Sequence, residues 1–351
     1  MPTRRSTATM KDVALRARVS LATVSRAFAV PGSVSEALTQ RIIAAARELN
    51  YTINVNARSL RSQSSGLIVV LIPDIGNPFF SVLLQGIEEQ ARAQGLAILI
   101  GDTHGDSELA ATYARLLDTR RADGMILLNG TVPNRAHDGA RLKPQRYPVV
   151  AISERIPGAD IAMVGINNRA ASCEAVGHLA ALGHRRIAHI MGPADNILTH
   201  ERAQGYRDSI LAHGCDMWPE AVQPGAFSIH AGRAAMAKLL DSAAPPTAVF
   251  AASDEIAIGA IIEAKARGLL VPDDLSVMGF DDIAYAESYD PALSTINQPR
   301  REMGRRAMVM LGALIADPDQ RQADVILDHR LVVRASTAPP RVASRKLTSR
   351  T

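Results

Sequence analysis

The sequence has few cysteines and no long hydrophobic run. Cys173 and Cys215 are the only cysteines among 351 residues, which is typical of a reducing compartment and leaves no C-x-x-C motif for zinc or redox chemistry. The longest apolar stretch, residues 67–73, is too short to span a bilayer. Arg4 and Arg5 are followed by polar residues rather than an apolar segment. We therefore expect no signal peptide and a cytoplasmic location.

Common catalytic motifs are also absent. The sequence contains no G-x-x-x-x-G-K, G-x-G-x-x-G, G-x-S-x-G or H-E-x-x-H pattern. The nine histidines are scattered, and His184 and His189 do not have the spacing of metal ligands. We therefore expect no catalytic residue, no metal and no cofactor. An enzyme acting on a small polar substrate is kept as an alternative.

The composition is that of a globular protein with an uneven charge distribution. Hydrophobic residues make up 47% and charged residues 21%, and the length suggests two or three domains. Residues 1–65 carry ten Lys or Arg and three Asp or Glu, whereas the remainder carries 29 basic and 32 acidic residues. A small basic segment attached to a slightly acidic body is typical of a nucleic-acid-binding module, although a solvated charged face has the same composition.

The basic segment has the pattern of three short helices. Thr9 and Asp12 form a T-x-x-D capping box, Ser20 is the predicted N-cap before a second apolar period, and Ser35 is the predicted N-cap before a third. The predicted helices cover residues 10–17, 21–29 and 36–49. Two helices joined by a tight turn indicate a helix-turn-helix, whose second helix enters the major groove of DNA. A three-helix bundle without a DNA role would show the same periodicity.

The body alternates apolar runs with helical patterns. This alternation predicts a parallel sheet covered on both faces. The predicted strands are 67–73, 97–101, 124–128, 149–152, 186–191, 248–251 and 275–279. The predicted helices are 79–94, 107–119, 168–182, 201–213, 229–240 and 254–267. Over 260 residues form too much chain for one such unit, so we predict an α/β core of two doubly wound lobes.

Polar side chains follow most of these strands. Ligands of open α/β sheets bind outside the carboxyl ends of the strands, so we expect a cleft between the lobes that holds a small polar ligand. About half of these residues are expected to be helix caps only, because Asp, Asn and Ser favour that position. The strand-end residues are Asp74, Asn77, Asp102, Asn129, Ser153, Ser253, Asp254, Asp281 and Asp282.

Several motifs in order resemble the lac/galactose repressor family. They are Thr9-Met10-Lys11-Asp12-Val13-Ala14, Val19-Ser20-Leu21-Ala22-Thr23-Val24-Ser25-Arg26, Val34-Ser35, Glu48-Leu49-Asn50-Tyr51, Asn54 and Ala57-Arg58-Ser59-Leu60. The likeness continues to about residue 336. Three positions depart from the family pattern: Arg18 stands where glycine is usual, Tyr51-Thr52-Ile53-Asn54 lacks the proline of the common Y-x-P-N, and Asn167-Asn168 stands where Asp-Asn is common.

The resemblance implies a repressor that binds a pseudo-palindromic operator as a homodimer and is released by a small-molecule effector. Leu21, Ala22 and Arg26 would read base edges. Leu60 of a short hinge helix would wedge into the minor groove, a role that its helical neighbour Ala57 would support. The other residues expected at the DNA are Thr9, Ser20, Thr23, Ser25, Tyr51 and Asn54.

The resemblance also implies an effector pocket in a core like that of periplasmic binding proteins. Charged groups beside aromatic rings suit a ligand with hydroxyls and a flat face. Within the family the chain is most similar to a nucleoside-responsive member, so we expect a nucleoside, with a pentose or hexose as the alternative. A solute-binding transport protein is the other alternative. The expected pocket residues are Asp74, Asn77, Phe79, Phe80, Asn196, Arg202, Phe227, Ser253, Asp254 and Asp281.

These expectations divide the chain into four segments. Residues 1–53 form the DNA-binding domain, 54–65 the hinge helix and linker, 66–336 the effector-binding and dimerisation core, and 337–351 a basic, disordered tail. Within the core, lobe 1 covers about 66–166 and 296–330, and lobe 2 about 167–295. We see no C-terminal heptad helix that would add a tetramer interface.

Overall fold

A computed structural model describes residues 8–29, 32–51, 64–134 and 146–341. The chain divides into two compact units, Met1–Gly66 and Leu67–Thr351. They are called the helical unit and the core unit below. The predicted fold class, a helical N-terminal domain followed by a two-lobed α/β core, is confirmed.

The helical unit packs its helices around a small apolar cluster. Its described helices are α1 (Met10–Arg16), α2 (Leu21–Ala29) and α3 (Glu36–Glu48). All three contribute to the centre of the cluster, with Val13 from α1, Val24 from α2 and Ile42 from α3 fully buried. Small side chains let the helices approach closely around these residues, namely Ala14, Ala17, Ala45 and Ala46.

The helix ends follow the predicted caps with one exception. Thr9 and Asp12 form the capping box of α1, and the Ser20 hydroxyl accepts a hydrogen bond from the backbone N–H of Thr23 at 3.1 Å. The prediction that the Ser35 side chain caps α3 is wrong: its hydroxyl makes no capping bond, although its backbone is extended as at a cap. Arg18, in the turn between α1 and α2, has a φ of 52°, the left-handed conformation that favours glycine.

The core unit contains two parallel sheets, one in each lobe. The described strands are β1 (Leu67–Ile72), β2 (Ala97–Asp102), β3 (Gly124–Leu127), β4 (Val149–Ile152), β5 (Met163–Ile166), β6 (Ile187–Ile190), β7 (Val222–Gln223), β8 (Ala248–Ala251), β9 (Ser276–Met278), β10 (Thr295–Asn297), β11 (Val325–Leu327) and β12 (Arg330–Val332). The lobe 1 sheet has the order β11-β5-β4-β3-β1-β2 and the lobe 2 sheet the order β7-β6-β8-β9. An antiparallel pair, β10 and β12, forms a separate small sheet.

Helices cover the sheets and pack against one another in pairs. The described helices of the core unit are α4 (Pro78–Ala93), α5 (Ser107–Asp118), α6 (Asn168–Ala181), α7 (Ile197–Ala212), α8 (Ile229–Leu240), α9 (Asp254–Ala266) and α10 (Arg300–Ala316). Helix α4 is in close contact with α10, α6 with α7, and α8 with α9. Glycines permit the close approach of α4 and α10, because a Cβ on Gly86 would meet the backbone carbonyl of Arg301 and a Cβ on Gly304 would meet that of Leu83.

The observed elements extend the sequence prediction in several places. Helix α7 begins at Ile197 instead of residue 201, because Asn196 caps it with a hydrogen bond from the Thr199 N–H at 3.2 Å. Helix α10 and five short strands, β5, β7, β10, β11 and β12, were not predicted. Helix α10 carries four arginines, of which Arg300 is buried and the other three are exposed, and these charges obscure its apolar face.

The C-terminal stretch also differs from the prediction of a disordered tail beginning at residue 337. The Thr337 hydroxyl is 3.2 Å from His178 Nε2, and the Ala338 carbonyl accepts a hydrogen bond from His184 Nε2 at 2.9 Å. Arg341 forms ion pairs with Asp273 and Asp274. Residues 337–341 are thus attached to lobe 2, since buried polar groups there take them as hydrogen-bond partners.

Candidate functional site

The exposed face of α2 carries the side chains predicted to read base edges. Leu21, Ala22 and Arg26 are exposed, whereas Val24 between them is fully buried. Leu21 is 51% exposed. This face therefore presents one cation and two apolar side chains to its surroundings.

Hydroxyl groups flank this face near the start of α2 and α1. Ser20 and Thr23 share a hydrogen bond of 2.8 Å, and the exposed Thr9 donates to Asp12 at 2.7 Å. Ser25 is half-buried. Tyr51 packs its ring on Phe28, with ring centroids 6.2 Å apart. Three further residues predicted to contact DNA lie outside the described residues: Asn54, Ala57 and Leu60.

Within the core unit, a cavity of about 250 Å³ lies between the lobes at the carboxyl ends of the strands. Nine of the ten predicted pocket residues line it. Asp74, Asn77, Phe79 and Phe80 come from lobe 1 after β1. The lobe 2 contributors are Asn196, Arg202, Phe227, Ser253 and Asp281.

Arg202 is held rigidly in the wall of this cavity. Its Nε donates to Asn168 Oδ1 at 3.0 Å and its Nη1 to the Ala252 carbonyl at 2.5 Å. The guanidinium lies 3.8 Å from the centroid of the Phe280 ring, an arrangement that favours a cation. Nη1 is 3.8 Å from Asp281 Oδ1. Arg202 is therefore a preorganised donor, since its position does not depend on a ligand.

Asp281 faces Arg202 from the loop after β9. Its φ of 120° places it in an uncommon backbone conformation, and its Oδ1 accepts a hydrogen bond from Gln298 Nε2 at 2.7 Å. Burial raises the pKa of this carboxyl to about 6, against the opposing effect of the Arg202 and Arg300 charges. A buried carboxylate beside an arginine suits ligand hydroxyls, which donate to one and accept from the other.

Asp254 lies beneath the cavity wall rather than in it. It is fully buried, and its carboxylate accepts hydrogen bonds from the Ile283 N–H at 2.8 Å and from the Thr295 hydroxyl at 2.6 Å. Burial, together with the Asp281 charge, raises its pKa well above the ordinary value. Asp254 thus positions the loop that carries Asp281, whereas its neighbour Ser253 reaches the cavity and caps α9.

Aromatic rings supply the apolar walls. Phe79 and Phe80 meet edge to face with centroids 5.2 Å apart, a preferred aromatic geometry. Both belong to the first turn of α4, which Asn77 caps by accepting from the Phe79 N–H at 2.8 Å. Phe227 lies on the lobe 2 side, and its ring centroid is 5.9 Å from Cζ of the Arg202 guanidinium. The rings therefore border the charged groups on both lobes.

Two amide–carboxylate hydrogen bonds cross the cleft. Asn77 Nδ2 of lobe 1 donates to Glu255 Oε2 of lobe 2 at 2.8 Å. Asn196 Nδ2 of lobe 2 donates to Glu154 Oε1 of lobe 1 at 3.0 Å. Glu154 lines the cavity but was not among the predicted site residues. It follows the strand-end residue Ser153, and nothing in the sequence distinguishes it from a surface carboxylate.

The described residues hold one group with the spacing of metal ligands. Oxygen and nitrogen atoms of Asp74, Asp102 and His104 lie within 4.8 Å of one another. Asp102 Oδ2 is 3.3 Å from His104 Nε2, so a direct contact between these two side chains accounts for their spacing. Among the described helices, none combines the length and apolar character of a membrane span.

Both units match known families. Residues 9–54 match the lacI family of bacterial regulatory proteins, and residues 176–337 match the periplasmic binding protein-like domain. The chain is 41% identical over 332 residues to the HTH-type transcriptional repressor CytR of Escherichia coli strain K12, covering 94% of this chain and 96% of CytR. This chain therefore belongs to the lacI family of transcriptional repressors and is not an enzyme.

Solved structures agree with this assignment. The lac repressor dimer bound to operator and the anti-inducer ONPF is 26% identical to the chain with a TM-score of 0.81, covering 94% of this chain and 99% of that one. A LacI family regulator from Enterococcus faecium with bound ribose is 31% identical with a TM-score of 0.68, covering 78% and 99%. Members of the family thus bind operator DNA and small polar molecules.

Proposed function

We propose that this repressor acts in the cytoplasm as a homodimer on a pseudo-palindromic operator and is released by a nucleoside bound in the cleft. The observation that carries the effector proposal is the cavity itself, which combines the Arg202–Asp281 pair with three aromatic rings. A nucleoside has a ribose with hydroxyls and a flat base. The charged pair suits the hydroxyls, and Phe79, Phe80 and Phe227 suit the faces of the base and ribose.

The DNA proposal is based on the exposed face of α2. Arg26 would form a bidentate contact to guanine, and Leu21 with Ala22 would contact apolar edges such as the thymine methyl. Ser20, Thr23, Ser25, Thr9 and Tyr51 would fix the register on phosphates. The sequence resemblance adds Asn54, Ala57 and Leu60, with Leu60 of each subunit opening the minor groove between half-sites.

The two hydrogen bonds across the cleft suggest how the effector acts. Asn77–Glu255 and Asn196–Glu154 join the lobes at the cavity, so a ligand that enters between them changes the arrangement of the lobes. An effector shifts the population toward the conformation that it binds better. In our proposal that conformation separates the paired hinge segments, which then lose their helical structure and release the operator.

A thermal-shift panel on the full chain tests the effector class. Cytidine, adenosine, ribose, arabinose and glucose are added separately at increasing concentrations. A ligand present at about 100 times its Kd stabilises the folded state by about 2.7 kcal/mol, which is enough for a clear shift. A shift with nucleosides and none with sugars supports the proposal. A shift with a sugar alone refutes it and favours the second candidate, a sugar effector, which the ribose-bound family member supports.

A further inference from the structure

Buried oxygen atoms without a hydrogen-bond partner among the described residues lie on the lobe 1 side of the cavity. Asn129 Oδ1 and Ser153 Oγ are buried and have no hydrogen-bond partner in the described part of the chain. The pairing of Leu127 with Ala151 between β3 and β4 places these two residues at matching positions beyond the strand ends. Buried polar atoms are normally satisfied, so these two require a partner that the protein itself does not supply.

Glu154 adds a carboxylate to this group. Its Oε1 accepts from Asn196, while Oε2 lies over the backbone of Gly130 and receives no hydrogen bond from the described residues. Gly130 has a φ of 65°, and a Cβ at this position would collide with Oε2. The local backbone therefore makes room for the carboxylate at the cavity. Burial raises the pKa of Glu154, whereas the hydrogen bond from Asn196 and the charge of Arg202 act to lower that pKa.

The lobe 2 side of the cavity has a different chemistry. Arg202 supplies N–H donors there and Asp281 accepts beside it, so that side suits a ligand that carries both donors and acceptors. On the lobe 1 side, Asn129 Oδ1 and Glu154 Oε2 are acceptors without a hydrogen bond from the described residues, and the Ser153 hydroxyl donates or accepts; Asn129 also carries an amide NH2 that can donate. A ligand group that satisfies the two acceptor oxygens together must bring N–H or O–H donors.

We propose that Glu154, with Asn129 and Ser153, is a specificity-determining subsite that accepts the amino substituent of the effector's base. The inference rests on the proposed nucleoside function. An amino group carries two N–H donors, which serve Glu154 Oε2 and Asn129 Oδ1 together. An oxo substituent at the same position brings lone pairs only and faces the carboxylate. Bases with an amino substituent are therefore bound in preference to their oxo counterparts.

Titration calorimetry on the full chain tests this with matched nucleosides. Cytidine is compared with uridine, and adenosine with inosine, because each pair exchanges an amino for an oxo substituent. The wild type should bind the amino member at least about tenfold more tightly, since a site with fixed acceptors rejects the group that leaves them unpaired. Glu154→Gln keeps the shape but replaces one acceptor by a donor, so the preference should fall to about threefold or less.

Two further variants make the result specific. Glu220→Gln removes an exposed carboxylate outside the cavity and should leave the preference unchanged. Asn129→Leu removes the second acceptor without altering Glu154, and should weaken binding of the amino members while leaving that of the oxo members nearly constant. It also provides an independent test if Glu154→Gln lowers the yield of folded protein.

The outcomes separate this inference from the proposed function. Binding of all four nucleosides with equal affinity, or a full amino preference retained in Glu154→Gln and Asn129→Leu, overturns the subsite and leaves the nucleoside effector in place. No binding of any of the four overturns the nucleoside effector and the subsite together. Amino preference in the wild type that is lost in the variants supports both.

Discussion

The helical unit and the core unit position their functional side chains by different means. On α2, burial of Val24 turns the opposite side of the helix, with Leu21 and Arg26, toward solvent. Helical periodicity alone therefore determines which side chains form the exposed face of α2. In the cavity, Asn77 and Asp281 lie about 200 residues apart in sequence and meet because parallel strands end at the same edge of each lobe. A local surface tolerates changes elsewhere in the chain, whereas a cleft depends on the fold of both lobes.

The units also differ in how much apolar core supports them. The helical unit has one cluster with seven buried residues, four of which are alanines. The core unit has three larger clusters of buried side chains. Small cores leave small margins of stability. The DNA-binding and ligand-binding surfaces should therefore fail separately when the residues that support one of them are changed.

Ile42→Ala should unfold the helical unit and leave the core unit intact. Ile42 is fully buried in the cluster, and truncating such a side chain costs about 2–5 kcal/mol. Hydrogen exchange should show loss of protection in residues 10–48 only, with ligand-induced thermal shifts preserved. Leu15→Ala is the matched control, because Leu15 is 70% exposed. Loss of protection throughout the chain would show that the units do not fail separately.

Arg202→Ala should abolish effector binding and preserve DNA binding. Arg202 is held in the cavity wall by Asn168 and Ala252, and loss of its buried charged hydrogen bond to a bound effector should cost about 2–5 kcal/mol of affinity. Titration calorimetry should show that the variant binds the effector at least about thirtyfold more weakly than the wild type. Its affinity for an operator selected from random DNA should stay within about twofold of the wild-type value. Effector affinity equal to that of the wild type would remove Arg202 from the site.

Arg26→Ala should relax the base preference of the helical unit without changing effector affinity. A bidentate contact to guanine contributes about 1–3 kcal/mol of discrimination. Binding to a library of substituted operators should show one position in each half-site that becomes permissive. Arg41→Ala, on α3 of the same unit, is the comparison for loss of positive charge alone. If both variants lose affinity for every sequence equally, Arg26 contacts only the backbone.

The pH dependence of the melting temperature should reveal the protonation of the Glu255 carboxyl at the cleft. Its burial, with the Asp281 and Asp74 charges, raises its pKa from 4.5 to about 7. The folded chain therefore binds this proton more tightly than the unfolded chain, and the resulting stabilisation is present below about pH 4.5 and lost as the pH rises to 7. The melting temperature of the wild type should therefore decrease, relative to that of Glu255→Gln, as the pH rises from 5 to 7. Parallel curves for the two proteins would contradict the raised pKa.

The sequence was more informative about the positions of site residues than about their partners. Nine of the ten residues that the strand-end rule and the family resemblance predicted for the pocket lie at the cavity, because the sheet topology brings strand ends together. Asp254 was misplaced, since two adjacent polar residues at a helix start divide between wall and interior according to packing. Glu154 was missed because its role depends on the backbone of Gly130 and on Asn196 in the other lobe.

Control of DNA binding by the cleft is tested by measuring operator affinity with and without nucleoside. An operator is first selected from random DNA by the full chain, and its affinity is then followed by fluorescence anisotropy. We predict that saturating nucleoside weakens operator binding of the wild type by at least about tenfold, an ordinary allosteric coupling, and that it has no effect on Arg202→Ala. Operator affinity that is unchanged at saturating nucleoside in the wild type would contradict the claim that the cleft controls DNA binding.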